Sequence, residues 1–433
     1  MSEIAVDSNS GRALAVLDRV ALGSVLLCPL LLLHAHGIAE GAIAVIDLCF
    51  LTRSAITREW AWTRTPWLLI GWVWWAWLII CSLPLPTLGL GPGDARSLTQ
   101  AILFVRFLVL VAALEHAILR PSDARRWVYW VIAASAAYIA IHAVFQFITG
   151  YNFYGEPAGG DGELTGPFGK PRAGPPFARI LLPAIVPWAS AMLARPGVWP
   201  VLRAWLVLIG GATVALLIGQ RMPLLLTCLG LLLTGLLLPR LRSGVMAAGI
   251  AVVLLLVASP VVAPNEHHRL VSKFSYQMEH FAVSPYGELY VRALEIGVRN
   301  PITGLGDEGF RIGCPEPRYF RPSFDGSVAD GGGAPVCWHH PHNYYLEALD
   351  DGGFPSLILF SALAVAWLAA LGRGLWHRPD PLRVALLAAA VVQLWPIASS
   401  TAFTSMPVGG WSFLLLGWGL AEARWPNGQR DPI

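Results

Sequence analysis

Runs of about 20 apolar residues, the length that crosses the hydrocarbon of a bilayer, recur along this 433-residue chain and leave few alternatives for its fold. They fall at roughly 18–36, 37–52, 66–84, 99–118, 127–149, 174–194, 200–219, 221–239, 243–262, 353–372, 382–400 and 407–421. Twelve such runs predict an all-α, polytopic integral membrane protein. The second and twelfth are short, and the third is rich in tryptophan (Trp67, Trp72, Trp74, Trp75, Trp77). Composition agrees: apolar residues make up 55% of the chain and charged residues 13%. A water-soluble domain carries about 25% charged residues, so this chain lacks the polar surface to cover itself. The first apolar run is too long for a cleavable signal peptide and lacks the small-residue cleavage site after it.

The loops set the orientation, because arginine and lysine are retained on the cytoplasmic side. With both termini cytoplasmic, that side collects Arg12, Arg19, Arg53, Arg58, Arg120, Arg125, Arg240, Arg373 and Arg424. The short outer loops 85–98 and 401–406 hold one arginine or none. The chain then divides into a bundle over 1–262 with a minor outer loop at 150–173, a long outer segment over 263–352, and a last group of spans over 353–433. Within the long segment, an amphipathic helix is expected to stop at Asn300-Pro301. The Gly-rich portion 323–335 reads as a flap.

Titratable groups crowd together in one place, from Cys337 to Pro355. His339, His340 and His342 lie there beside aromatics, acids and Gly352-Gly353. Pro341 suits the first turn of a helix and the glycines suit its end, which predicts a helix over about 341–351. His342 would sit in its first turn, where the positive end of the helix dipole disfavours imidazolium. A neutral imidazole there is a candidate general base. The alternative is an interfacial helix whose Trp, Tyr and His rest at headgroup level.

Arg221 stands at the outer end of one span and Arg292 on the amphipathic helix; Arg106 and Arg179 lie in or beside spans, where acids or phospholipid headgroups can pair with them. Together these cations suggest a phosphate site, since the guanidinium fork suits polyanionic oxygens and keeps its charge. Cys337, His339, His340 and His342 are zinc-type ligands, but their spacing is too tight for paired-ligand sites. No Asp-x-Asp holds magnesium, so neither metal nor cofactor is expected. Asp47 and Glu115 are the main acids within spans, which counts against an ion-coupled transporter or flippase. Cys28, Cys49, Cys81 and Cys228 fall in apolar runs. Cys314 and Cys337 are candidates for a disulfide if their segment faces an oxidising compartment.

His342-Asn343-x-x-Leu346-Glu347, followed by Gly352-Gly353 and an apolar span, resembles the signature of the O-antigen ligase and polymerase superfamily. Gln220-Arg221 resembles that family's arginine ahead of a helix, and Arg292…Asn300-Pro301-x-x-Gly304-x-Gly306…Phe310 resembles its second block. Gly166-Pro167-Phe168…Arg172 is a weaker match, with Lys170 beside it. The resemblance implies a GT-C-type glycosyltransferase, independent of metal, in the bacterial inner membrane with a periplasmic site. Its donor would be O-antigen polysaccharide on undecaprenyl pyrophosphate and its acceptor the lipid A–core. A polymerase would instead use a second lipid-linked glycan. Membrane lipids surround it, and no nucleic acid is expected. His342 matches the family's essential histidine; Arg221 and Arg292 match the arginines that engage pyrophosphate. Asn343 and Glu347 would hold the helix, with His339 and His340 sharing or orienting the base.

Overall fold

The computed structural model describes residues 8–85, 93–160, 162–262, 264–281, 284–320, 337, 340–398 and 401–425. A helix covers each of the twelve predicted runs: α1 Ser8–His34, α2 His36–Thr57, α3 Pro66–Ser82, α4 Ala95–Leu103 continuing into α5 Val105–Ala113, α6 Ser122–Thr149, α7 Gly174–Leu193, α8 Val198–Ile218, α9 Arg221–Leu237, α10 Arg242–Val262, α15 Tyr344–Gly372, α16 Pro381–Leu394 and α17 Met406–Arg424. Between α10 and α15 lie the shorter α11 Pro264–His267, α12 Lys273–Glu279, α13 Pro285–Arg299 and α14 Gly309–Gly313. Among the described residues no strand forms, and a single isolated bridge joins Tyr151 to Pro157.

Helix starts follow side-chain chemistry. Asp94, Ser284 and Asp380 each accept an amide of the first turn, the role of an N-cap, and Pro285 and Pro381 follow directly as first helical residues. Among the described residues seven helical stretches have the length and apolarity to cross a membrane. Pro66–Ser82, Arg221–Leu237 and Pro381–Leu394 are apolar but shorter. Each of the twelve predicted runs thus contains a helix, and among the described residues length and apolarity sufficient to cross a membrane coincide in seven.

Helices α7 and α17 form the centre. The first packs against α6, α8, α9 and α16, the second against α5, α15 and α16. Around them Leu27, Leu48, Val73, Leu206, Leu236, Val257 and Ile358 point outward and stay exposed, an apolar belt that only hydrocarbon would cover. Several charges within the bundle are paired, which offsets the cost of their desolvation. Arg125 meets Glu422 at 3.3 Å, Arg424 meets Glu115 at 2.8 Å, and Arg106 meets Glu40 at 3.5 Å. The chain is a multi-pass membrane protein built from helices.

Two expectations change in detail. The helix predicted from about 341 begins at Tyr344, because Asn343 caps it: its side-chain oxygen accepts the Tyr345 and Leu346 amides at 2.9 and 3.2 Å. His342 therefore precedes the helix instead of lying in its first turn. Gly352 and Gly353 do break the helix, with non-helical backbone at both and φ of 68° at Gly353, after which α15 resumes as the apolar run. The predicted flap over 323–335 lies outside the described residues, as does His339.

Candidate active site

The break in α15 explains the block Asn300-Pro301-x-x-Gly304-x-Gly306. A helix that stops leaves carbonyls without partners. Here Leu305 N donates to Asp350 O at 2.7 Å, Gly306 N to Asp351 O at 3.0 Å, and Gly309 N to the Asp351 carboxylate at 2.8 Å. On the other side of the break, Phe354 N donates to Pro301 O at 2.8 Å. Gly304 and Gly306 have φ of 57° and 83°, and a Cβ on Gly304 would overlap the Asp350 carbonyl. From α3, Trp77 Nε1 donates to Gly352 O and Trp74 Nε1 to Ser356 Oγ, both at 2.8 Å. The first turns of α15 are thus clasped at their far end, while His342 stands immediately ahead of the cap at their near end.

His342 has a φ of 54°, a left-handed conformation rare outside glycine, asparagine and aspartate. Its amide donates to Nδ1 of His340 at 3.2 Å, and the two rings lie 4.3 Å apart edge to face. That acceptor role requires Nδ1 of His340 to be unprotonated. The Tyr286 ring lies 5.4 Å from the His342 ring, also edge to face. Glu347 turns away from His342, its carboxylate accepting the Phe403 amide at 3.2 Å.

His342 lines a cavity of about 1370 Å³ together with Arg221, Lys170 and Arg172. The lining also includes the polar Arg179, Gln277, Tyr286 and Tyr290 and the apolar Leu33, Leu226, Val392, Val408 and Trp411, the apolar residues coming from α1, α9, α16 and α17. Arg221 is the first residue of α9 and donates to Gln277 of α12. Burial pushes the Tyr286 phenol upward, and the Arg221 guanidinium opposes that shift, so Tyr286 lies within electrostatic reach of Arg221 and in ring contact with His342. Tyr290 is pushed up to about 12, first by burial and then by Tyr286.

The minor loop at 150–173 is fixed, not loose. Gln146 Oε1 accepts the Thr165 and Gly166 amides at 2.9 and 3.1 Å, and Asn152 Nδ2 donates to Gly166 O at 2.7 Å. Gln220 Nε2 donates to Pro171 O at 2.8 Å, which ties the loop carrying Lys170 and Arg172 to the turn that presents Arg221.

Arg292 does not join this group. Only 2% exposed, it donates to the Cys314 carbonyl, stacks 4.1 Å over the Phe320 ring, and is absent from the cavity lining. Leu289, Arg292, Ala293 and Ile296 recur at the spacing of one helix face, and that face packs into a small core with Leu305, Phe310, Cys314 and Tyr319. Arg292 thus sits beneath the disulfide, outside the cavity lining. Cys314 and Cys337 form that disulfide, with Cα atoms 5.6 Å apart, and Arg292 Nη1 lies 4.0 Å from Cys337 Sγ. The bridge anchors the chain five residues ahead of His342. Tyr286 and Tyr290 were not singled out from sequence, although their i, i+4 spacing puts both on one face of α13.

No curated protein matches this sequence. Residues 206–361, which include Arg221, the Asn300–Gly309 block and His342, match the family model described as O-antigen ligase. Over that stretch the chain is similar to the O-antigen ligase family.

Proposed function

We propose that this protein is a GT-C-type glycosyltransferase that moves O-antigen polysaccharide from undecaprenyl pyrophosphate to the lipid A–core at the periplasmic face of the inner membrane. About twelve spans and two cytoplasmic termini complete that topology. The observation that carries the reading is the mixed lining of one cavity, in which His342 and several cations share the wall with helix-borne apolar residues. A prenyl pyrophosphate combines the same two chemistries, a hydrocarbon tail ending in a polyanion.

In the reaction, His342 accepts the proton of the acceptor hydroxyl as that oxygen attacks the anomeric carbon from the face opposite the pyrophosphate. The bond between anomeric carbon and phosphate oxygen breaks, configuration inverts, and undecaprenyl pyrophosphate leaves. Arg221, with Lys170 and Arg172 nearby, stabilises the charge that grows on the departing group. This chemistry needs positioned cations and a base, and no metal. His340 acts as a positioning residue through its bond to the His342 amide. Asn343 caps the helix behind the base, and Glu347 braces it against the 401–406 turn. Arg292 positions the disulfide-linked lead-in to His342.

The acceptor is tested with purified protein in nanodiscs, given labelled undecaprenyl-pyrophosphate glycan and either lipid A–core or a second glycan lipid. Glycan joined to lipid A–core, with undecaprenyl pyrophosphate released, is the expected product. Extension of the lipid-linked glycan alone would make the protein a polymerase, and no transfer to either acceptor would remove the proposal.

A further inference from the structure

Glu163 is the only carboxylate among the described residues that line the cavity, where Lys170, Arg172, Arg179 and Arg221 supply positive charge. Backbone bonds fix its place: Gly159 N donates to Glu163 O at 2.8 Å, and Leu164 N to Ile218 O at 3.2 Å. Its carboxylate accepts Gln220 Nε2 at 3.3 Å and lies 3.9 Å from Nε of the buried Arg269. A carboxylate has room for about four hydrogen bonds, and 30% of this side chain stays exposed. The Tyr286 phenol, pushed up chiefly by burial, feels Arg221 and Glu163 with opposite signs, and its ring lies 5.4 Å from that of His342. Glu163 is thus bonded to the neighbour of the proposed phosphate contact and within electrostatic reach of the tyrosine beside the proposed base.

An anion in a cavity for a polyanion is unfavourable unless it recognises another part of the ligand. The hydrocarbon tail offers nothing polar, and the pyrophosphate offers only acceptor oxygens and charge of the same sign. Sugar hydroxyls donate hydrogen bonds, and the sugar joined to the pyrophosphate is the one next to the Gln220-Arg221 turn. We propose that Glu163 is a specificity-determining residue, which accepts hydrogen bonds from the first sugar of the donor and repels a prenyl pyrophosphate that carries no glycan. Attraction to one ligand and repulsion of its competitor add in selectivity. That competitor is the reaction's own product, undecaprenyl pyrophosphate, so the same carboxylate disfavours product rebinding. This rests on the donor proposed above. The sugars of the acceptor offer the same hydroxyls, and the measurement separates the two sources.

The test compares binding of undecaprenyl-pyrophosphate glycan and of glycan-free undecaprenyl pyrophosphate to the full chain in nanodiscs. Glu163→Gln keeps an oxygen for Gln220 and removes the charge. It should bind the glycan-bearing lipid about tenfold more weakly, the loss of a hydrogen bond to a charged group, and the glycan-free lipid at least as tightly as wild type. Glu163→Asp keeps the charge but draws it back by one methylene. It should weaken glycan-bearing binding alone, and it serves by itself if the glutamine variant does not fold. Equal weakening of both lipids would make Glu163 a brace for its loop and overturn the proposal, as would wild-type affinity for both; either leaves the donor proposal standing. A raised KM for lipid A–core with donor binding unchanged would move the contact to the acceptor and overturn it too. If the wild-type protein binds neither lipid, the donor proposal falls with it.

Discussion

Arg292 and Arg221 show how one residue type takes two jobs in a single chain. Arg221 opens a helix at the cavity; Arg292 is packed under a disulfide and an aromatic ring. Arg221→Ala should weaken geranyl pyrophosphate binding at least about tenfold, as expected for a lost charged contact. Arg292→Ala should instead lower kcat and thermal stability while leaving that affinity within about threefold of wild type, the margin of an ordinary context effect. Titration calorimetry beside steady-state kinetics separates the two. Asp307 makes a second prediction at this scale. It is 5% exposed, and burial, reinforced by Glu308, raises its carboxyl from the ordinary 3.8 to about 7. The folded state thus holds a proton that the unfolded chain releases, so Asp307's contribution is complete below 3.8 and is lost as pH rises through about 7. Asp307→Asn keeps the Oδ1 that accepts the Glu308 amide and removes the titration. Thermal midpoints of wild type and variant should converge near pH 4 and separate by pH 8, with the variant higher.

At the scale of elements, the clasp around the break in α15 is the feature on which the position of His342 depends. Gly304→Ala places a methyl group against the Asp350 carbonyl at a φ of 57°. It should destabilise the protein by at least about 1–2 kcal/mol, the cost of left-handed backbone in other residues, and reduce transfer; a wild-type thermal midpoint and rate would deny the clasp its role. Much of this was legible in the sequence. The apolar runs gave the helices, Gly352-Gly353 gave the break, and Cys314 and Cys337 stand where a bridge was expected. The helix start is ambiguous in the sequence because Pro341 and Asn343 are both start signals, and the tertiary fold decides it by bringing the asparagine oxygen to two amides. The place of Arg292 was in fact readable. It shares the spacing of Leu289, Ala293 and Ile296, about 140° around the helix from the face carrying Tyr286 and Tyr290. A lone charged residue on an apolar face can be covered by packing, as Arg292 is by a disulfide and an aromatic ring.

Across the whole molecule, elements far apart in sequence converge on one cavity. Helices α1, α7, α9, α16 and α17 supply its walls, the 150–173 loop and α12 and α13 close over it, and the lead-in to α15 brings His342 to its edge. No single segment contains the site, which is why short motifs could name residues but not show which of them face each other. The central claim is that the imidazole of His342 accepts the proton during glycan transfer. It is tested most directly by the transfer rate of His342→Asn with labelled undecaprenyl-pyrophosphate glycan and lipid A–core, since asparagine tolerates the left-handed backbone at this position and preserves the fold. The predicted result is a rate lower by about 10²–10⁴-fold, the usual contribution of a general base, with donor affinity unchanged; transfer within a few-fold of wild type would contradict it.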